Sequence, residues 1–131
     1  MNNIDTNLYS RQIKAYGIDT MLKLQNLRIL ILGIRGLGAE VAKNIVLSGV
    51  KEVKIKDENI CEINDLGSNF YLNEINIGQR RDISCLQKLK ELNSYVNVDI
   101  FKGNLSEDIL NFDVIIITEI MNENILPYLI I

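Results

Sequence analysis

The 131-residue chain contains no histidine and no tryptophan, one proline and two cysteines. Without histidine it has no imidazole base and no imidazole metal ligand, so Ser-His and Cys-His nucleophile pairs cannot be assembled from within it. Two cysteines, Cys61 and Cys85, are too few for a disulfide scaffold. The single proline, Pro127, lies near the C-terminal end, and no linker between domains is visible. Neither sign of charge dominates: 14 Lys+Arg against 17 Asp+Glu leave a formal charge of −3. That balance argues against a general nucleic-acid clamp. No apolar run reaches the roughly 18 residues that a membrane span needs. The first eight residues are polar and lack the apolar core of a signal peptide. What remains is one domain's worth of chain with an ordinary 47% hydrophobic fraction. It reads as a flexible arm over residues 1–8 followed by one folded unit over residues 9–131.

Apolar spacing places the elements. Residues 9–24 read as a helix with Leu8, Ile13, Tyr16, Met21 and Leu24 along one face, weakened or broken at Gly17. Residues 28–32 form a continuous apolar run, the pattern of a strand covered on both faces. A glycine turn over 33–38 leads into a helix ending near Ser48, with Val41, Ala42 and Ile45 inward and Gly49 where a left-handed residue closes a helix. Val53 and Ile55 alternate in a second strand ending at Asp57. Residues 80–92 carry Ile83, Leu86, Leu89 and Leu92 at helical spacing, Val96, Val98 and Ile100 alternate as a third strand, and residues 114–117 form a fourth. Strand, turn, helix, strand, then helix and strand is the grammar of a parallel sheet with helical crossovers. The expected fold class is α/β and Rossmann-like. Such a domain usually continues beyond a fourth strand, so the chain reads as part of a domain.

The turn Gly33-Ile34-Arg35-Gly36-Leu37-Gly38 sits between a strand and a helix, the context of a dinucleotide fingerprint. Glycine is required there where the backbone turns tightly and where it approaches a phosphate. Arg35 occupies the second kind of position, where its side chain either occludes a pyrophosphate or salt-bridges it. Asp57, nineteen residues after Gly38, matches the acidic residue that meets a ribose hydroxyl. The alternative is that Asp57 only braces the strand end.

Five segments occur in one order: Tyr9-Ser-Arg-Gln-Ile, Gly33-Ile-Arg-Gly-Leu-Gly-Ala-Glu-Val-Ala-Lys-Asn-Ile, Asp65-Leu-Gly-Ser-Asn-Phe-Tyr-Leu, Ile77-Gly-Gln-Arg-Arg and Glu91-Leu-Asn-Ser-Tyr-Val. Together they resemble the N-terminal, inactive adenylation half of eukaryotic ubiquitin-activating enzymes, within the ThiF/MoeB-like activating-enzyme superfamily. The last three resemble the ubiquitin enzymes more than the small subunits that activate SUMO or NEDD8. The resemblance implies a ThiF/MoeB-like adenylation fold that pairs with a related active half about a pseudo-twofold axis. Its active version carries Gly-x-Gly-Gly-x-Gly, a phosphate-directed arginine and a lysine. Here Arg35 replaces a glycine, Ser68 stands at the arginine position and Arg81 at the lysine position. Gly33, Gly36, Gly38 and Asp57 complete what the resemblance makes a vestigial site.

The same resemblance implies that Arg11 reaches in trans to ATP bound in the active half, where a guanidinium fork neutralises phosphate charge. ATP and Mg²⁺ are then expected on the partner half, with no cofactor or metal held by this chain. The implied partners are that half, ubiquitin and, through the whole enzyme, a conjugating enzyme, and the implied location is cytoplasmic and nuclear. Alone, the chain is expected to be inactive and to self-associate as a dimer through the face its partner would cover. Rival readings are a small subunit of a SUMO- or NEDD8-activating heterodimer, an independent nucleotide-binding oxidoreductase domain, and a pure interaction module. Cys61 and Cys85 read as packing rather than nucleophiles, Lys88 and Lys90 as a solvated helix face, and Phe70, Tyr71 and Tyr95 as core or interface.

Overall fold

The computed structural model describes residues 4–119, so Pro127 and the end of the assigned folded unit lie outside the described residues. Near the N-terminus, Gly17 (φ 82, ψ 159) adopts a backbone conformation essentially reserved for glycine. It divides the expected single helix into α1 (Ser10–Tyr16) and α2 (Ile18–Leu24). Met21 is fully buried, but Leu8 and Tyr16, expected on the same apolar face, are exposed. The break rotates the two halves out of a common stripe.

Four strands follow in the chain: β1 (Arg28–Leu32), β2 (Glu52–Lys56), β3 (Asn97–Ile100) and β4 (Val114–Ile117). They form one sheet in the order β3-β2-β1-β4, and every pairing is parallel. Ile29 pairs with Val53 and Val53 with Val98; Ile31 pairs with Ile55 and Ile55 with Ile100. Side chains alternate with period two, so this register puts all six on one face. That face packs against Ala39, Ala42 and Val46 of α3 (Gly36–Ser48) and Cys85 and Leu89 of α4 (Arg81–Leu92). Each fully buried Ile or Leu there contributes roughly 1.5–3 kcal/mol. On the opposite face Leu30 and Leu32 meet Phe101, with Phe112, Ile115 and Ile117 packed alongside. Toward β2 and β3 that face turns polar, with Lys54 Nζ lying 3.4 Å from Glu52 and 3.9 Å from Asp99.

Two inward faces differ from expectation. In α3 the buried residues are Gly38, Ala39, Ala42 and Val46, while Val41 and Ile45 are only half-buried. In α4 the buried residues are Arg81, Asp82, Cys85 and Leu89, and Ile83 is exposed. The stripe is displaced because Arg81 in its first turn finds buried counter-ions in Asp57 and Asp65, and buried Asp82 accepts from the Asp57 amide and from Arg80, partners that apolar spacing does not register.

Gly49 closes α3 in the left-handed conformation, as expected (φ 86, ψ 33). Its missing side chain also makes room for Tyr9, whose ring carbon Cζ would lie 2.8 Å from a Cβ placed there. Gly49→Ala therefore meets backbone strain of roughly 1–2 kcal/mol together with displacement of a buried ring. Thermal unfolding followed by circular dichroism should show a melting temperature lower by roughly 5–10 °C. An unchanged melting temperature would show that the ring yields freely.

Candidate functional site

Strand order reverses between β1 and β4, and in open α/β sheets the crevice beyond the carboxyl ends of such strands is where ligands bind. The glycine turn lies there. Gly33 has φ 97, its amide donates to the Lys56 carbonyl at 2.9 Å, and the Thr118 hydroxyl donates to its carbonyl at 2.8 Å. A Cβ on Gly38 would run into the Gly33 carbonyl oxygen. A Cβ on Gly36 would lie 2.8 Å from Ser68 Cβ and 2.9 Å from the Ser68 carbonyl oxygen. Contacts within the chain thus account for all three glycines. Asn69, fully buried, braces the turn by donating from Nδ2 to the Ile34 carbonyl at 2.8 Å and accepting at Oδ1 from the Tyr71 amide at 3.0 Å. Periodicity had no signal for Asn69, although it stands inside one of the family-like segments.

Asp57 is fully buried at the end of β2. Oδ2 accepts from the Ile34 amide at 2.8 Å and Oδ1 from the Asn59 amide at 3.1 Å. Its carboxylate holds the glycine turn from within. Beside it Arg81, 2% exposed, donates from Nε to Asp65 Oδ2 at 3.0 Å. Arg81 Nη1 lies 3.5 Å from Asp57 Oδ2 and 3.7 Å from Glu119 Oε2. Arg35 is half exposed, with Nε 3.6 Å from Asp65 Oδ1 and Nη1 3.5 Å from Glu119 Oε1. Two guanidiniums and three carboxylates therefore form one cluster that ties the glycine turn, the end of β4, and α4. Asp65 and Glu119 were not expected to belong to it.

Burial pushes the Asp65 carboxyl upward, but the Glu62 amide and the Arg81 guanidinium outweigh it and hold Asp65 below the ordinary carboxylate value. Burial likewise works against the Arg81 charge, and Asp65, Asp57 and Glu119 more than restore it. Arg80 forms a separate two-point contact with buried Asp82, at 3.1 Å from Nε and 2.7 Å from Nη2.

This arrangement does not fit nucleotide phosphates. Ser68 packs against the first residue of α3, and both guanidiniums already face carboxylates: Arg81 is hydrogen-bonded to Asp65 through Nε, while its buried Nη1, which makes no hydrogen bond, and the half-exposed Arg35 meet theirs at ion-pair distance. The adjoining pocket, about 530 Å³, is lined by Arg35, Glu58, Asn59, Ile60, Glu62, Arg81 and Glu119. Three of these are glutamates, which would repel a polyphosphate. Among the described residues there is no group of three His, Cys, Asp or Glu side chains placed to hold a metal ion.

Cys61 and Cys85 are buried free thiols, and burial pushes Cys85 up to about 12, so it stays protonated and unreactive. Tyr71 belongs to the core, whereas Phe70 (88% exposed) and Tyr95 (59%) are exposed rather than core residues. Lys90 is solvated; Lys88, also exposed, donates to the Tyr71 carbonyl at 2.9 Å.

Arg11 is not brought to this cluster. It sits exposed on α1, and no hydrogen bond or ion pair joins its side chain to the described residues. Its neighbour Gln12 is hydrogen-bonded to Ser48 at the C-terminal end of α3. The glycine turn lies at the other end of that 13-residue helix, about 20 Å away at 1.5 Å per residue.

A parallel sheet in this order, with a glycine turn at its switch point, defines a Rossmann-like α/β domain. The chain belongs to the ThiF family, whose match covers residues 9–122. It is 46% identical over 120 residues to a wheat (Triticum aestivum) ubiquitin-activating enzyme E1 1, which covers 91% of this chain and 11% of that protein. It is 46% identical over 117 residues to the Homo sapiens ubiquitin-like modifier-activating enzyme 1, covering 88% of this chain and 11% of that protein. The chain therefore spans about a tenth of the length of these relatives. Among solved structures, E. coli MccB bound to MccA-N7isoASN superposes with a TM-score of 0.79 at 23% identity, over 98% of this chain and 40% of that one. E. coli tRNA N6-threonylcarbamoyladenosine dehydratase, TcdA, in complex with ATP, gives 0.79 at 12% identity, over 91% and 52%. These structures share the fold.

Proposed function

We propose that this chain is the non-catalytic half of an ATP-dependent ubiquitin-activating enzyme. It scaffolds an active adenylation half that holds ATP and Mg²⁺, and it supplies Arg11 across the interface. The whole enzyme would adenylate the ubiquitin C-terminus, pass it to a cysteine and hand it to a conjugating enzyme. The observation that carries this reading is the internal ion cluster: Arg35 and Arg81 are neutralised by Asp57, Asp65 and Glu119 where phosphates would otherwise sit. The 46% identity to ubiquitin-activating enzymes supplies the context. The same cluster weighs against an independent nucleotide-binding oxidoreductase. Exposed Ile63, Phe70 and Ile75, on the segment that follows β2, offer apolar surface for the active half.

The reading predicts that the chain by itself binds neither ATP nor NAD. Calorimetric titration should give no saturable heat in the micromolar range, and Arg35→Gly should not create binding because Ser68 and the carboxylates remain. A micromolar dissociation constant for ATP would contradict the assignment of this half as non-catalytic.

A further inference from the structure

We propose that Tyr9, held by Asn93, is the positioning residue that fixes where Arg11 points, an inference that rests on the functional reading above. Helix α1 has seven residues and fully buries none of them. Isolated helices shorter than about 12 residues are marginal in water, so the direction of α1 depends on what anchors it. The main anchor is Tyr9, immediately before the helix and 2% exposed. Its hydroxyl accepts from Asn93 Nδ2 at 2.7 Å, and its ring fills the space left open at Gly49.

Asn93 is itself a buried clamp. Nδ2 also donates to the Val46 carbonyl at 3.1 Å, and Oδ1 accepts from the Tyr95 amide at 3.1 Å. The Tyr9 hydroxyl is thereby referenced to the C-terminal ends of both α3 and α4. A second link lies just upstream, where the Tyr95 hydroxyl donates to Asp5 Oδ2 at 2.9 Å and Asp5 Oδ1 accepts from the Asn7 and Leu8 amides. A third lies one turn on, where Gln12 Nε2 donates to the Ser48 carbonyl at 3.1 Å. Residues three apart share a helix face, so Tyr9 and Gln12 bind the body while Arg11 is turned away from it. The Tyr9-Ser10-Arg11-Gln12 segment thus divides into one buried anchor, one half-buried anchor and one projecting cation.

Tyr9→Phe keeps the ring and removes the hydroxyl, and it should be compared with Arg11→Ala and the double variant in the complete polypeptide. The measurement is ATP–pyrophosphate exchange at saturating ubiquitin, with hydrogen exchange recorded at the α1 amides. Tyr9→Phe should lower kcat roughly 3- to 10-fold, the usual worth of one buried hydrogen bond, with KM for ATP changed by less than about twofold. Amides of Ile13 and Gly17, which bond to Tyr9 and Ile13 carbonyls, should lose protection. The double variant should be no slower than Arg11→Ala alone, because Tyr9 acts through Arg11. A loss in Arg11→Ala with none in Tyr9→Phe would overturn the positioning role and leave the functional reading standing. Multiplied losses in the double variant would do the same. No loss in Arg11→Ala would overturn both.

Discussion

Arg11→Ala in the complete polypeptide is expected to slow ATP–pyrophosphate exchange roughly 10- to 100-fold, less than the 10³-fold or more lost when some phosphoryl-transfer enzymes lose an arginine delivered in trans. The smaller figure reflects the chemistry proposed for the whole enzyme, in which pyrophosphate leaves and the attack falls on a different phosphate. The Arg11 side chain is exposed and makes no hydrogen bond or ion pair with the described residues, so its removal should leave the melting temperature unchanged. Arg11→Lys should recover only part of the rate, since it keeps the charge and loses the planar fork. Ubiquitin affinity should be nearly unaffected. Equal exchange rates for wild type and Arg11→Ala, at matched melting temperature, would reduce Arg11 to a surface charge and the chain to a scaffold or interaction module.

Arg81→Leu should have the largest effect on stability. Removing one member of a buried ion pair strands its partners, at a cost of about 3–5 kcal/mol. In a domain of this size that lowers the melting temperature by roughly 10–20 °C. Asp57 and Asp65 are the stranded groups, both buried and both within ion-pair distance of the lost guanidinium. Adding Asp65→Asn to Arg81→Leu should recover part of the loss, because one uncompensated charge is removed.

The pH dependence has a definite sign. In the wild type Asp65 is held below its ordinary value of 3.8, so its contribution is present above that pH and is lost as pH falls through the lower, folded value. Without Arg81 the Asp65 carboxylate loses the guanidinium that holds it low and takes up a proton more readily, and protonation relieves its stranded charge. The gap in melting temperature between wild type and Arg81→Leu should therefore be widest near neutrality and narrow toward about pH 4. A gap independent of pH would mean that Arg81 stabilises by packing alone.

Local pattern was enough for the four strands and for the helices α3 and α4 that connect the first three. The apolar run at 28–32 and the alternation through Val53, Ile55, Val98 and Ile100 specify strands because side chains one residue apart must face opposite sides. Gly49 was legible for a similar reason: a glycine at the end of an apolar helical period is the usual left-handed stop. Five short segments in register also carried enough information to place the chain among ThiF-family proteins.

The inward face of α4 was not legible in that way. Arg81 is buried because Asp57 and Asp65, far from it in sequence, meet it in space, and hydrophobic spacing has no access to such partners. The glycine turn is the sharper case. As sequence it speaks of a phosphate, and only the tertiary structure shows Ser68 against Gly36, the Gly33 carbonyl against Gly38, and Thr118 over Gly33. The sequence by itself determined the order and type of the main elements, because those follow from local periodicity and backbone preference. What the switch point contains was decided by the tertiary structure, because it depends on which distant charges and backbones arrive there together.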